Sequence, residues 1–314
     1  MAHELTLVPY SPGEQREWDD LVDRSRAPHF FFRRDYLAYH ADRFPDASLL
    51  VREGGRLLAV LPANRDGDRL VSHGGLTFGG FITDRRMTAT RMLAAFEAVL
   101  GRLRADGVTT WVYKPPPHIY HRVPAEEDLY ALTRCGARLV RRDLSSTVLM
   151  ADRLPYSKGR KAAVKAARAL RVAQERDFAE FWAVEEEALA RRHGVAPVHT
   201  LEEIELLAGR FPDGIELFTA RDDGGALLGG VVVFVTPVLA HAQYIAATEE
   251  GQARGAVDAI VEHLLAERYA DRRWFDFGIS TTEQGRVLNE GLVGNKESYG
   301  ARAITYDTYE LEVA

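Results

Sequence analysis

Twice along this chain, a set of β-patterned runs leads into a long amphipathic helix and then back into a strand. That recurrence is what most restricts its fold. MTATRMLAAFEAVLGRLRADG and QARGAVDAIVEHLLAERYA place apolar residues at i, i+3 and i+4, the period of a helix with one buried face. Ahead of the first stands ASLLVREGGRLLAVLPANRDGDRLVSH, apolar stretches broken by Gly-Gly and Asp-Gly-Asp turns, which predicts a three-stranded antiparallel meander. Ahead of the second stand IELFTARD, ALLGGVVVFV and LAHAQYIAAT. Each helix is followed by a strand (TTWVYKP; RWFDFG), a helix (AEEDLYALTRCG; GRVLNEGLV) and a strand (ARLVRRDLSSTVLM; ARAITYDTYEL). EQREWDDLVDRSR and DYLAYHADRF predict short helices at the start, and LEEIELLAGRF opens the second set. The order therefore predicts two α/β halves with mixed sheets, residues 1–150 and 175–314. They are joined by a basic segment, 151–174, a short strand near RVAQER and the helix FAEFWAVEEEALARRHG.

Composition narrows the function classes. With 46% hydrophobic and 27% charged residues over 314 positions, the chain has the apolar surface to offset its conformational entropy in two cores. No apolar run approaches the roughly 18 residues of a membrane span, and a cytoplasmic protein without membrane insertion is expected. The single Cys135 allows no internal disulfide, and its setting in ALTRCGARL reads as a helix end. His118 and His121 lack a third ligand at metal-binding spacing, so no metal site is expected. The net charge of −6 argues against a DNA partner, whose affinity rests on neutralised phosphates.

The C-terminal stretch WFDFGIS…GLVGNKESYGAR, with Asp276, Phe277, Gly278, Lys296, Tyr299 and Gly300, resembles the FemAB-like branch of the GNAT-superfamily N-acyltransferases. In that branch an Asp-Phe-Gly strand end precedes a helix and a Lys-x-x-aromatic-Gly element. HFFFRRDYLAYHADRF is similar to the aromatic helix that opens such proteins. The resemblance implies two tandem GNAT-like domains and transfer of an acyl or aminoacyl group to an amine, with acyl-CoA or aminoacyl-tRNA as donor co-substrate and no tightly bound cofactor. A small amine acceptor and a tRNA acceptor end are the implied partners. One departure stands out. The GNAT pyrophosphate fingerprint would run Gln252-x-x-Gly255, one further residue and then a final Gly or Ala, but Ala256 is followed by Val257. The second reading is therefore a catalytically inactive module that binds a nucleotide-linked glycan intermediate.

Candidate residues follow, each with its alternative. Lys158, Arg160, Lys161, Lys165 and Arg168 crowd a segment without acids, and Lys158, Lys161, Lys165 and Arg168 would share one helix stripe; the choice is a phosphate-binding face or a solvated one. The resemblance makes Lys296 a group for the charge that develops in transfer, against an ion pair with Glu297. Asp276 either accepts the amine proton or orients the nucleophile, against a strand-capping hydrogen bond, and Tyr299 is a substrate contact. Tyr244 is a proton donor to a leaving thiolate or a sheet residue. His73, beside GGLTFGG, is a candidate base because imidazole titrates near neutrality. Gln252 and Gly255 would bind the donor's pyrophosphate at a helix N-terminus.

Overall fold

The computed structural model describes residues 4–313, and the chain divides into two compact units. Unit 1 holds the residues up to Asp143, Glu283–Val287 and those from Thr305; unit 2 holds Leu144–Thr282 and Leu288–Ile304.

Unit 1 begins with β1 (Leu5–Pro9), α1 (Gln15–Arg24) and the one-turn α2 (Arg34–Leu37), followed by β2 (Leu49–Glu53) and β3 (Arg56–Leu61). Gly54 and Gly55 both have positive φ, 55° and 80°, the backbone a two-residue hairpin demands. The predicted meander does not continue past β3. Pro62, which has no N–H to give a ladder, ends that strand. The next two strands, β4 (Asn64–Asp66) and β5 (Arg69–Val71), form a hairpin of their own. Thus β1, β2, β3 and β6 (Ile82–Thr83) make one antiparallel sheet, while β5 pairs in parallel with β7 (Thr110–Tyr113). The helix α3 (Ala89–Ala105), capped by Thr88, buries Met92, Phe96, Val99 and Leu103 against β3 and β7 residues in one core. Then come α4 (Glu127–Arg134), which ends at Cys135, and β8 (Arg138–Leu149).

Unit 2 takes the last residues of β8 and continues with α5 (Lys158–Ala166), β9 (Arg171–Glu175), α6 (Ala179–His193) and α7 (Leu201–Arg210). The strands β10 (Ile215–Arg221), β11 (Leu227–Val235) and β12 (Leu239–Ala247) form the expected antiparallel meander. The long helix predicted at 252–270 is interrupted. It consists of α8 (Glu249–Arg254), α9 (Ala256–His263) and a wider π turn, Leu264–Arg268, with Gly255 between the helices in the left-handed region at φ +75°. This crossover is what lets β13 (Trp274–Ile279) lie parallel to β12, since parallel neighbours cannot be joined by a tight turn. Two-residue strands β14 (Thr281–Thr282) and β15 (Val287–Leu288) precede α10 (Glu290–Glu297) and β16 (Arg302–Glu312). The helix expected at 285–293 begins later because Asn289 caps it, accepting from Leu292 N at 3.0 Å.

Each face of the unit 2 sheet has its own cover. Val231, Val233, Ala240, Ala242, Phe275 and Phe277 pack with Ile260, Val261 and Leu264 of the crossover. On the other face α6 lies over β11 and β12, with Phe181 set so close to Gly230 that a Cβ there would fall 2.3 Å from its ring. Among the described residues, no helix is long and apolar enough to cross a membrane.

Candidate active site

The parallel strands β12 and β13 pair at Leu239↔Trp274, Ala240↔Phe275 and His241↔Asp276 and then stop, although β12 runs on to Ala247 and β13 to Ile279. A bulge in β12 accompanies the break, because Val232 faces Tyr244 while Val233 faces Ala242. Bulges locally bend and twist a strand, so these strands part at a fixed point. His241 and Asp276 form the last rung before the gap.

Asp276 is fully buried, and its carboxylate is surrounded by donors. Ser145 Oγ and Thr147 Oγ1 of β8 donate to Oδ1 at 2.7 and 2.8 Å, and His241 Nδ1 lies 2.7 Å from Oδ2. Burial alone would raise its pKa, but the bonds from His241, Ser145 and Thr147 bring it below the usual carboxylate value. It is thus an ionised group held inside the sheet. That contradicts the expectation of Asp276 as a direct proton acceptor, since an enclosed carboxylate with lowered basicity cannot reach an acceptor. Its partner His241 retains 15% side-chain exposure.

Past the break, the carbonyls of Gly278 and Ile279 have no β12 partner, and Lys296 supplies one. Its Nζ donates to them at 2.8 and 2.9 Å from the last turn of α10. The lysine is 5% exposed. Burial lowers its pKa to about 8, against an opposing pull from Asp276. Lys296 is therefore anchored beside the rung, and the expected alternative, an ion pair with Glu297, is not what holds its ammonium.

The remaining sequence candidates fall into separate places. Arg160 and Tyr299 belong to a half-buried network. Arg160 donates to Ser298 Oγ at 2.9 Å and Tyr299 Oη at 3.0 Å and also to Asp258 and Asn295, while its guanidinium stacks 3.9 Å over the Tyr299 ring. Both are committed to joining α5, α9 and α10, which corrects their expected role as substrate contacts. Lys161, Lys165 and Arg168 are exposed, with Arg168 beyond the end of α5 in a 3₁₀ turn. Gln252 and Gly255 line a cleft of ≈ 290 Å³ together with Ala163, Ala166, Leu170 and Asp258, so α5 presents alanines to that cleft and its lysines elsewhere. The first turn of α9, where a phosphate was expected, already has the Asp258 carboxylate in it. Tyr244 is buried, with Oη 2.5 Å from His199 Nδ1 and its ring edge-on to Trp182. His73 belongs to unit 1, buried against His40 at 4.9 Å with φ +57°. Burial, His40 and Lys114 push its pKa down to about 3, so it is too weak a base for the role expected of it.

Residues 156–284 match the family model of the acetyltransferase (GNAT) domain. The chain carries a GNAT acyltransferase domain. That match spans the parting strands, the His241–Asp276 rung and the Gln252/Gly255 cleft. The whole chain has the architecture of solved tandem and FemX-type structures. A FemX crystal structure aligns with TM-score 0.71 at 11% identity, covering 97% of this chain and 96% of that one. The C-terminal domain of a putative lysylphosphatidylglycerol synthetase from Agrobacterium fabrum aligns with TM-score 0.61 at 13% identity, covering 95% and 91%. A tandem GNAT protein from the clavulanic acid biosynthesis pathway gives 0.50 at 16%, covering 99% of both. At these identities the likeness is one of fold. No protein of curated function matches the chain in sequence. Acyl-CoA is the co-substrate of the GNAT class, and among the described residues no cluster of His, Cys, Asp and Glu is arranged to hold a metal.

His241, Ser145 and Thr147 carry no sequence motif. Their only signal is alternation along two strands that lie far apart in the chain, and the register that unites them with Asp276 is set by tertiary pairing.

Proposed function

We propose that the GNAT domain of unit 2 moves an acyl or aminoacyl group from acyl-CoA or aminoacyl-tRNA to the amine of a small phosphorylated or nucleotide-linked acceptor, in cytoplasmic steps of cell-surface polysaccharide or secondary-metabolite biosynthesis. The observation that supports this reading most is the parting of β12 and β13 at His241 and Asp276. An open strand edge offers backbone groups to an extended ligand with amides of its own, which suits the pantetheine arm of a thioester donor. The Lys296 ammonium, fixed on the Gly278 and Ile279 carbonyls, supports the reading of a preorganised cation beside the negative charge that grows on a thioester oxygen. A donor preorganised for that charge stabilises the transition state more than the ground state. The exposed Lys161, Lys165 and Arg168 offer a cationic face for an anionic part of acceptor or donor.

A binding module without turnover is the second reading. It is favoured by Val257 at the last fingerprint position and by the carboxylate of Asp258 in the first turn of α9. Thermal-shift titration with acetyl-CoA, longer acyl-CoAs and nucleotide sugars separates the two, because a ligand that binds the folded state raises Tm by mass action. Stabilisation by acyl-CoA together with thiol release in the presence of primary amines is the expected result. Stabilisation by nucleotide sugars with no thiol released from any donor would establish the module instead. Replacing Lys161 and Lys165 by Glu is expected to weaken the anionic ligand and leave Tm nearly unchanged, since exposed charges contribute little to stability.

A further inference from the structure

An amine acceptor sheds a proton as it forms an amide, and neither Asp276, enclosed in the sheet, nor Lys296, donating to two carbonyls, is placed to receive it. We infer that His241 Nε2 is the base that takes this proton, and that Asp276 is the positioning residue that prepares the imidazole for it. The inference rests on the reading of unit 2 as an acyl-transfer site.

The geometry specifies the imidazole fully. With Nδ1 2.7 Å from the Asp276 carboxylate, the ring proton belongs on Nδ1, and Nε2 keeps its lone pair. Ser145 and Thr147 hold the other carboxylate oxygen, so Asp276 cannot swing away and the ring is fixed through it. A histidine serving only to fill the sheet would need no more than its Nδ1 bond. Here the outer edge of the ring is kept clear as well. Gly278 has φ +76°, and a Cβ at that position would stand 3.3 Å from His241 Cε1 and 3.9 Å from Nε2. Glycine at that position spares the Cε1 edge of the ring a tight contact, while the approach to Nε2 would be an ordinary one. The charged group bonded to it is Asp276 from β13, whose other oxygen takes the hydroxyls of Ser145 and Thr147 from β8.

The step balances without an outside reagent. The amine lone pair attacks the thioester carbonyl carbon and the C–N bond forms. The proton lost by nitrogen passes to His241 Nε2, and the C–S bond then breaks with its electron pair leaving on sulfur. The imidazolium returns the proton to the thiolate. Amine and thioester become amide and thiol, and Asp276 remains ionised throughout, stabilising the transient imidazolium as an orienting carboxylate does.

Two measurements on the full chain test this independently. Nitrogen NMR of the histidines, with no substrate present, should find His241 protonated on Nδ1 in the wild type and redistributed between nitrogens in Asp276→Asn; a wild-type proton on Nε2 overturns the proposal whatever reaction the protein performs. With acetyl-CoA as donor and methylamine as probe acceptor, His241→Ala should release thiol about 10²–10⁴-fold more slowly per folded molecule, with acetyl-CoA affinity unchanged and Tm lowered, because the buried Asp276 carboxylate loses one of its donors. Added imidazole should restore part of the rate, which a purely structural histidine would not allow. A wild-type rate in His241→Ala sinks the assignment. Absence of thiol release in the wild type would count against acyl transfer, and the dyad would then stand or fall on the tautomer alone.

Discussion

Lys296 has a pKa near 8 because its charge is buried, so its ammonium is present at neutral pH and is lost just above it. If that charge stabilises transfer, kcat should decline as pH rises through about 8. Lys296→Arg should move the decline to higher pH, while Lys296→Met should lower kcat and kcat/KM together by about 10²–10³-fold. A pH-independent kcat between 7 and 9.5 would remove the lysine from the chemistry. His73 behaves oppositely in kind, through stability. Its folded-state pKa of about 3 lies below the ordinary imidazole value near 6.5, so between those values the unfolded chain binds the extra proton, and stability falls as pH drops from 6.5 toward 3. His73→Asn, which tolerates the left-handed backbone, should flatten that acid limb in a urea titration series. Asp276, Lys296 and Tyr299 stand out in the sequence as positions because a motif carries them, but the motif does not say what Asp276 or Tyr299 touches. His241 was not, because a lone histidine in an alternating strand has no spacing to mark it. Arg160 was misread for a related reason. Charge segregation along a segment does not say which cation turns inward, and only the packing of Asp258 and Tyr299 decides that.

At the scale of elements, α5 turns Arg160 and Val164 inward. Removing Arg160 takes the guanidinium from the half-buried Asp258 carboxylate, which keeps its bond from Tyr299 Oη, so Arg160→Met should cost about 1–3 kcal/mol, measured by denaturant unfolding. Adding Asp258→Leu should recover part of that loss, and recovery failing to appear would mean the helix is held by something else. The docking of α6 has a different weak point. Gly230→Ala puts a methyl into the Phe181 ring, an overpacking expected to cost about 1–3 kcal/mol. Element order was readable in the sequence almost throughout, since period and turn residues specify it. The errors fall where one residue overrides a period: Pro62 ending the meander, Gly255 dividing the crossover helix, Asn289 delaying α10. The strand β1, short and at the sheet edge, has too little patterning of its own to announce itself.

For the molecule as a whole, the periodic runs predict halves at 1–150 and 175–314, and the contacts group the residues from Thr305 onward with unit 1. There Tyr309, Glu310 and Leu311 pair with Tyr113, Val112 and Trp111 of β7, Tyr306 Oη meets Tyr120 Oη at 3.1 Å, and Leu311 is buried in the unit 1 core. Deleting residues 305–314 should therefore cost unit 1 its hydrogen-exchange protection at β7. Exchange rates at Trp111 and Val112 that stay slow would contradict this. The arrangement also sets a schedule for biosynthesis. A ribosome delivers β7 well before residues 305–312, the neighbour that β7 requires, so unit 1 waits with an open strand edge while unit 2 is being made. Nascent chains stalled before residue 305 should be the ones that chaperones hold and proteases cut.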